Sequence, residues 1–85
     1  MYSVLLRAPA EKDISALPPP VRRRVIEALA SLRDTPRPVG IRKLEAQGGY
    51  RLRLGDYRIV LEIDDESQRI FVVRVKHRKD VYRDL

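Results

Sequence analysis

A chain of 85 residues has room for one hydrophobic core, and 44% hydrophobic with 35% charged residues describes a globular domain and excludes a disordered tail. Eighteen Lys and Arg against twelve Asp and Glu leave a net charge of +6, a field that gathers nucleic acid, an acidic protein segment or an anionic membrane surface. The absence of cysteine excludes disulfide staples, thiolate metal sites and a cysteine nucleophile.

No apolar run approaches the roughly 18 to 20 residues that span a bilayer. Met1 to Arg7 has no small-residue cleavage site and is not expected to act as a signal peptide. The expectation is therefore a single domain over residues 1–85, located in the cytoplasm, without metal or cofactor and without membrane attachment.

In chain order, Tyr2 to Arg7 carries Val4, Leu5 and Leu6 and predicts a short strand. Pro9 suits the first turn of a helix, where its missing N–H costs nothing. Ala10 to Leu17 then predicts a short helix with Ile14 and Leu17 on one face. Pro18, Pro19 and Pro20 end it and pre-set the next. Val21, Val25, Ala28, Leu29 and Leu32 follow the spacing of an amphipathic helix, which Asp34 to Gly40 closes. Arg22, Arg23 and Arg24 near its start read mainly as a solvated face.

Beyond Gly49 the period changes to two. Tyr50-Arg51-Leu52-Arg53-Leu54 alternates apolar and cationic residues, as a half-buried strand does. Gly55-Asp56 signals a tight turn, Tyr57 to Ile63 alternates again, Asp64 to Gln68 is a polar turn, and Arg69 to Val75 predicts a third strand. The expected fold is α+β: an N-terminal strand, a two-helix hairpin and a three-strand antiparallel meander, forming one sheet with the helices packed on one face.

Helices cover only one side of such a sheet. Alternation assigns Leu52, Leu54, Ile59, Leu61, Phe71, Val73 and Val75 to the covered side. It places Arg51, Arg53, Arg58, Arg74 and Lys76 on the open side, with Glu62, over a floor that includes Val60 and Val72. Like charges this close repel, so a fold gains nothing by gathering them unless an anion is shared. Arginine suits phosphate, because its fork donates paired hydrogen bonds and stays charged. Arg74 and Glu62 have the alternative of pairing with each other across strands. The tail from Lys76 to Arg83 adds the one histidine of the chain, His77, and Tyr82. By themselves these read as a surface histidine and a core-edge aromatic, or as an acid–base group and a stacking platform.

Gly49 to Val60 resembles the central hairpin of the RelE/ParE toxin superfamily, and Val75 to Arg83 resembles its C-terminal signature. Lys43-Leu44-Glu45 and the upstream helix hairpin fit as well, so the likeness covers nearly the whole chain. It implies a RelE-like fold and a toxin of a type II toxin–antitoxin system that cuts messenger RNA in the ribosomal decoding site. The partners it implies are the ribosome, mRNA and a cognate RelB-like antitoxin. Cleavage in that family proceeds by attack of the ribose 2′-hydroxyl on the adjacent phosphate without a metal.

By position, Arg51 and Arg53 match the family's paired basic strand residues, Arg58 its strand arginine, Arg78 its tail arginine and Tyr82 its terminal tyrosine. Charge that builds on the phosphate oxygens would be met by Arg58 and Arg78, while Arg51, Arg53, Arg74 and Lys76 bind the RNA. Well-known RelE members carry lysines at the positions of Arg51 and Arg53, and arginine does not trade a proton near neutrality. Either His77 or Tyr82 takes over proton transfer, or the protein relies on charge stabilisation and cuts slowly. Two other readings fit the same charge pattern: a ParE-like inhibitor of DNA gyrase, and a non-catalytic basic RNA-binding module.

Overall fold

In the computed structural model, which describes residues 1–44 and 48–80, the elements run β1 (Ser3–Leu6), α1 (Ala8–Ser15), α2 (Pro19–Ser31), β2 (Ile41–Lys43), β3 (Tyr50–Leu54), β4 (Tyr57–Asp64) and β5 (Arg69–His77). Prolines occupy the first turn of both helices. Neither helix has a side-chain cap, and the eight residues of α1 are too few to persist in isolation. Packing holds α1 instead: Ala10 and Ile14 are buried, and the helix lies against β5. It begins and ends two residues before the predicted Ala10 to Leu17. Leu17 is buried in the corner before the prolines.

The strands form a five-stranded sheet ordered β1-β5-β4-β3-β2. The predicted meander is present as antiparallel β3, β4 and β5. β1 joins it in parallel beside β5, and β2 adds an antiparallel edge beside β3 that the sequence reading lacked. Val25, Leu29 and Leu32, following the helical spacing, meet Leu52, Ile59 and Leu61 in the core. Ile59 lies on the central strand and is wholly buried. Ile59→Ala is expected to cost about 2–5 kcal/mol, read as a lower urea midpoint with an unchanged slope.

One expectation is reversed along β5. Val60 pairs with Arg74 but Leu61 pairs with Val72, so Val73 is an extra residue in a β-bulge. Each residue before a bulge swaps faces relative to strict alternation. Ile70 and Val72 therefore enter the core. Phe71, predicted inward, stands on the open face opposite Glu62, and Val73 likewise stays out of the core.

A clasp closes the sheet end away from the Gly55 turn. Arg37 donates to both oxygens of Asp65 (3.0 and 2.9 Å) and to the Tyr50 hydroxyl (3.0 Å). The Tyr2 hydroxyl donates to Asp65 at 2.6 Å. The Arg37 and Tyr2 hydrogen bonds hold the Asp65 carboxyl below the usual carboxylate range. These contacts tie β1, the α2–β2 connection, β3 and the β4–β5 turn together.

Candidate nucleic-acid interface

Strand register gathers the basic residues on the face away from the helices. Arg42 of β2 lies opposite Arg51 of β3, and Arg53 lies opposite Arg58 of β4. The four arginines and Gly40 line a cavity of about 360 Å³. Val60, 5% exposed, forms floor between Arg51 and Arg74, outside the main core. Two pairs of like charges directly opposite each other destabilise a sheet. Among the described residues no carboxylate pairs with Arg42, Arg53 or Arg58.

Arg42 is the residue that sequence reasoning missed. The three residues of β2 are too short for a period to show, and Ile41-Arg42-Lys43-Leu44 does not alternate. Gly40, at φ +94°, turns the chain into β2, and its carbonyl accepts from the Arg53 N–H at 3.2 Å.

The Gly55-Asp56 turn organises the other end of the arginine face. Gly55 has φ +58°, as the first central residue of a two-residue hairpin turn requires. Arg58 donates through one terminal nitrogen to the Gly55 carbonyl (2.8 Å) and to the Tyr57 carbonyl (2.9 Å). Those bonds fix the guanidinium plane at the face. The Arg78 N–H donates to the Asp56 carbonyl at 2.7 Å. Its side chain rests 3.8 Å from the Asp56 carboxylate, with both groups mostly exposed. The structure thus brings Arg58 and Arg78 to one turn.

Arg24 of α2 packs over the same turn, its guanidinium 3.5 Å from where a Gly55 side chain would begin. Arg22 is half-buried and donates to the Leu17 carbonyl at 3.0 Å. The run Arg22 to Arg24 is mainly solvated, as expected, with Arg23 and Arg24 exposed and only Arg22 half-buried.

Arg74 and Lys76 stand on the open side by register, but an acid from α1 engages both. Asp13 accepts from Arg74 Nε at 2.8 Å and from a terminal nitrogen at 3.2 Å. It also accepts from the Val75 N–H at 2.9 Å and lies 4.0 Å from Lys76 Nζ. Burial alone would raise the Asp13 carboxyl, but these hydrogen bonds and the two cations outweigh it and hold the group below its usual range. The alternative of Arg74 pairing with Glu62 is not realised, since Glu62 pairs with Arg7.

His77 is not brought to the arginines. It lies opposite Tyr57, on the helix side of the sheet, and the two rings meet edge to face with centroids 5.3 Å apart. Its Nδ1 accepts from the Lys79 N–H at 3.2 Å. Tyr82, Arg83 and Glu45 lie outside the described residues. Among the described residues, no group of three or more His, Cys, Asp or Glu is placed to hold a metal ion, and no helix is long and apolar enough to cross a membrane.

Residues 4–82 match the family described as ParE toxin of type II toxin-antitoxin system, parDE. The chain is 38% identical to Toxin RelG of Mycobacterium tuberculosis, across 96% of this chain and 97% of the relative. Its fold is similar to one chain of the toxin–antitoxin complex RelBE2 of Mycobacterium tuberculosis, with a TM-score of 0.80, 30% identity and coverage of 89% and 96% of the two chains. It is also similar to one chain of the archaeal RelE–RelB complex from Pyrococcus horikoshii, with a TM-score of 0.82, 30% identity and coverage of 91% and 94%.

Proposed function

The chain belongs to the ParE toxin family of type II toxin–antitoxin systems and is a toxin of the RelE type, and on that premise we propose that it is a metal-independent endoribonuclease that cuts mRNA on the ribosome. One observation carries this reading: arginines from three adjacent strands share one concave face, and among the described residues no carboxylate pairs with Arg42, Arg53 or Arg58. Attack of a ribose 2′-hydroxyl on the neighbouring phosphorus forms a new P–O bond and builds charge on the non-bridging oxygens. The bond to the 5′-oxygen of the next nucleotide then breaks, and a proton passes from the 2′-hydroxyl side to that leaving oxygen.

Arg58, fixed by two carbonyls, and Arg78, at the same turn, meet the developing charge. Arg42, Arg51 and Arg53 orient the backbone, and Arg74 and Lys76 border it, set by Asp13. With His77 on the other side of the sheet, Tyr82 is the proton carrier in this scheme. A RelB-like antitoxin is the cognate partner, a reading supported by the RelE-type neighbours solved with RelB. The cytoplasm is the compartment in which such a toxin meets ribosomes.

Expression of the free chain is expected to stop translation and leave transcripts cut at ribosome-bound codons, mapped by primer extension. The family match to ParE toxins favours gyrase as the second reading. Intact messages with gyrase-dependent DNA breaks would establish that reading and end this one.

A further inference from the structure

The bulge at Val73 places an aromatic ring on the face proposed to hold RNA, and no role in phosphate binding accounts for it. Phe71 lies opposite Glu62 and beside Leu5, all on the open side of the sheet. The Arg7 guanidinium lies over the Phe71 ring, 4.7 Å from its centroid. Glu62 accepts from Arg7 at 2.9 Å, and the two side chains are 51% and 54% exposed. The centre of this guanidinium thus sits over an aromatic ring, and one of its terminal nitrogens is held by a carboxylate.

We propose that Arg7, Phe71 and Glu62 form a nucleobase subsite beside the phosphate-binding arginines. This deepens the RNA-cutting reading and rests on it. Unpaired bases stack on guanidinium planes as they do on aromatic rings, and a plane backed by a ring is already ordered before the base arrives. Arg7 offers its outer face for that stack. Glu62 supplies an acceptor at the rim for an exocyclic amine, which adenine, cytosine and guanine carry and uracil lacks.

The location matches. Arg58, Val60 and Glu62 follow one another on the same face of β4. Arg58 and Glu62 are therefore about 13 Å apart at four residues' rise, a short reach for an extended polynucleotide. The subsite would read a base near the cut while the arginines hold the phosphates. A surface ion pair by itself is worth little to stability.

Cleavage of a message on ribosomes, stalled with each of a set of codons in the decoding site, tests the proposal. Arg7→Lys keeps the charge but loses the plane, and Glu62→Gln weakens the acceptor; thermal melts confirm that both variants fold. Arg7→Lys is expected to cut favoured codons about tenfold more slowly, the size of one lost base stack, while poorly favoured codons change little. Glu62→Gln is expected to flatten the preference for amino-bearing bases over uridine. If both variants reproduce the wild-type codon profile while Arg58→Ala strongly slows cutting, the subsite is overturned and the phosphate reading stands. If the wild-type chain cuts no codon, both fall together.

Discussion

Arg58→Ala is expected to lower the single-turnover rate of message cleavage by about 10²–10³, the usual effect of deleting one positioned donor from a developing oxyanion. The expectation comes from how the side chain is held. One terminal nitrogen donates to two backbone carbonyls at the Gly55 turn, so the guanidinium plane needs little reordering when charge appears. Its neighbour across the strand is Arg53, and a phosphate between them would relieve the repulsion of the two like charges.

Alanine removes the charge and the anchor together, so Arg58→Lys separates them. Lysine keeps a point charge but loses the planar fork that serves carbonyls and phosphate at once. It should recover only part of the lost rate. Arg53→Ala, which removes a binding cation without touching the turn, should weaken substrate binding more than the chemical step. Purified variants with unchanged melting temperatures, assayed on ribosome-bound message, give the comparison. An Arg58→Ala protein that cuts at the wild-type rate would show that this face does not carry the chemistry.

Much of that face is legible in the sequence, because a period of two is a strong constraint. Arg51, Arg53 and Arg58 had to share a side once Leu52 and Ile59 were inward, and Gly55-Asp56 fixed the hairpin between them. His77 was also legible, since alternation continued from the inward Val75 already sends it to the helix side. Phe71 was not. Ile70, Phe71, Val72 and Val73 are all apolar, so the local pattern carries no mark of which residue a bulge will leave over. Arg42 was hidden by a three-residue strand whose pairing depends on β3 already being in place. Asp13 was hidden for a different reason: its partners are 61 and 62 residues away, and nothing in the sequence of α1 announces the strand edge it meets.

That edge leads to the second large effect, Asp13→Asn. β1 pairs with β5 only from Arg69 to Val72, so the remaining length of β5 would present unpaired backbone groups on that side. α1 occupies the gap. The Asp13 side chain, 13% exposed, takes the Val75 N–H and grips Arg74 through two hydrogen bonds, with Lys76 also in reach. Removing the charge from a largely buried, hydrogen-bonded pair costs about 2–3 kcal/mol. For a domain of this size that is a fall in melting temperature of roughly 10–20 °C.

The pH dependence has a definite sign. The Asp13 carboxyl is held below its ordinary value of 3.8 in the folded protein, so the unfolded chain takes up this proton first as the medium is acidified. The stabilisation is complete above the ordinary carboxylate range. It declines as the pH falls from 3.8 toward the lower folded value, and is gone once both states are protonated. Urea unfolding of the wild type and Asp13→Asn should therefore differ most near neutral pH and converge in acid. A gap that stays constant down to pH values where all carboxylates are protonated would mean that hydrogen-bond geometry, and not the charge on Asp13, holds α1 to the edge of β5.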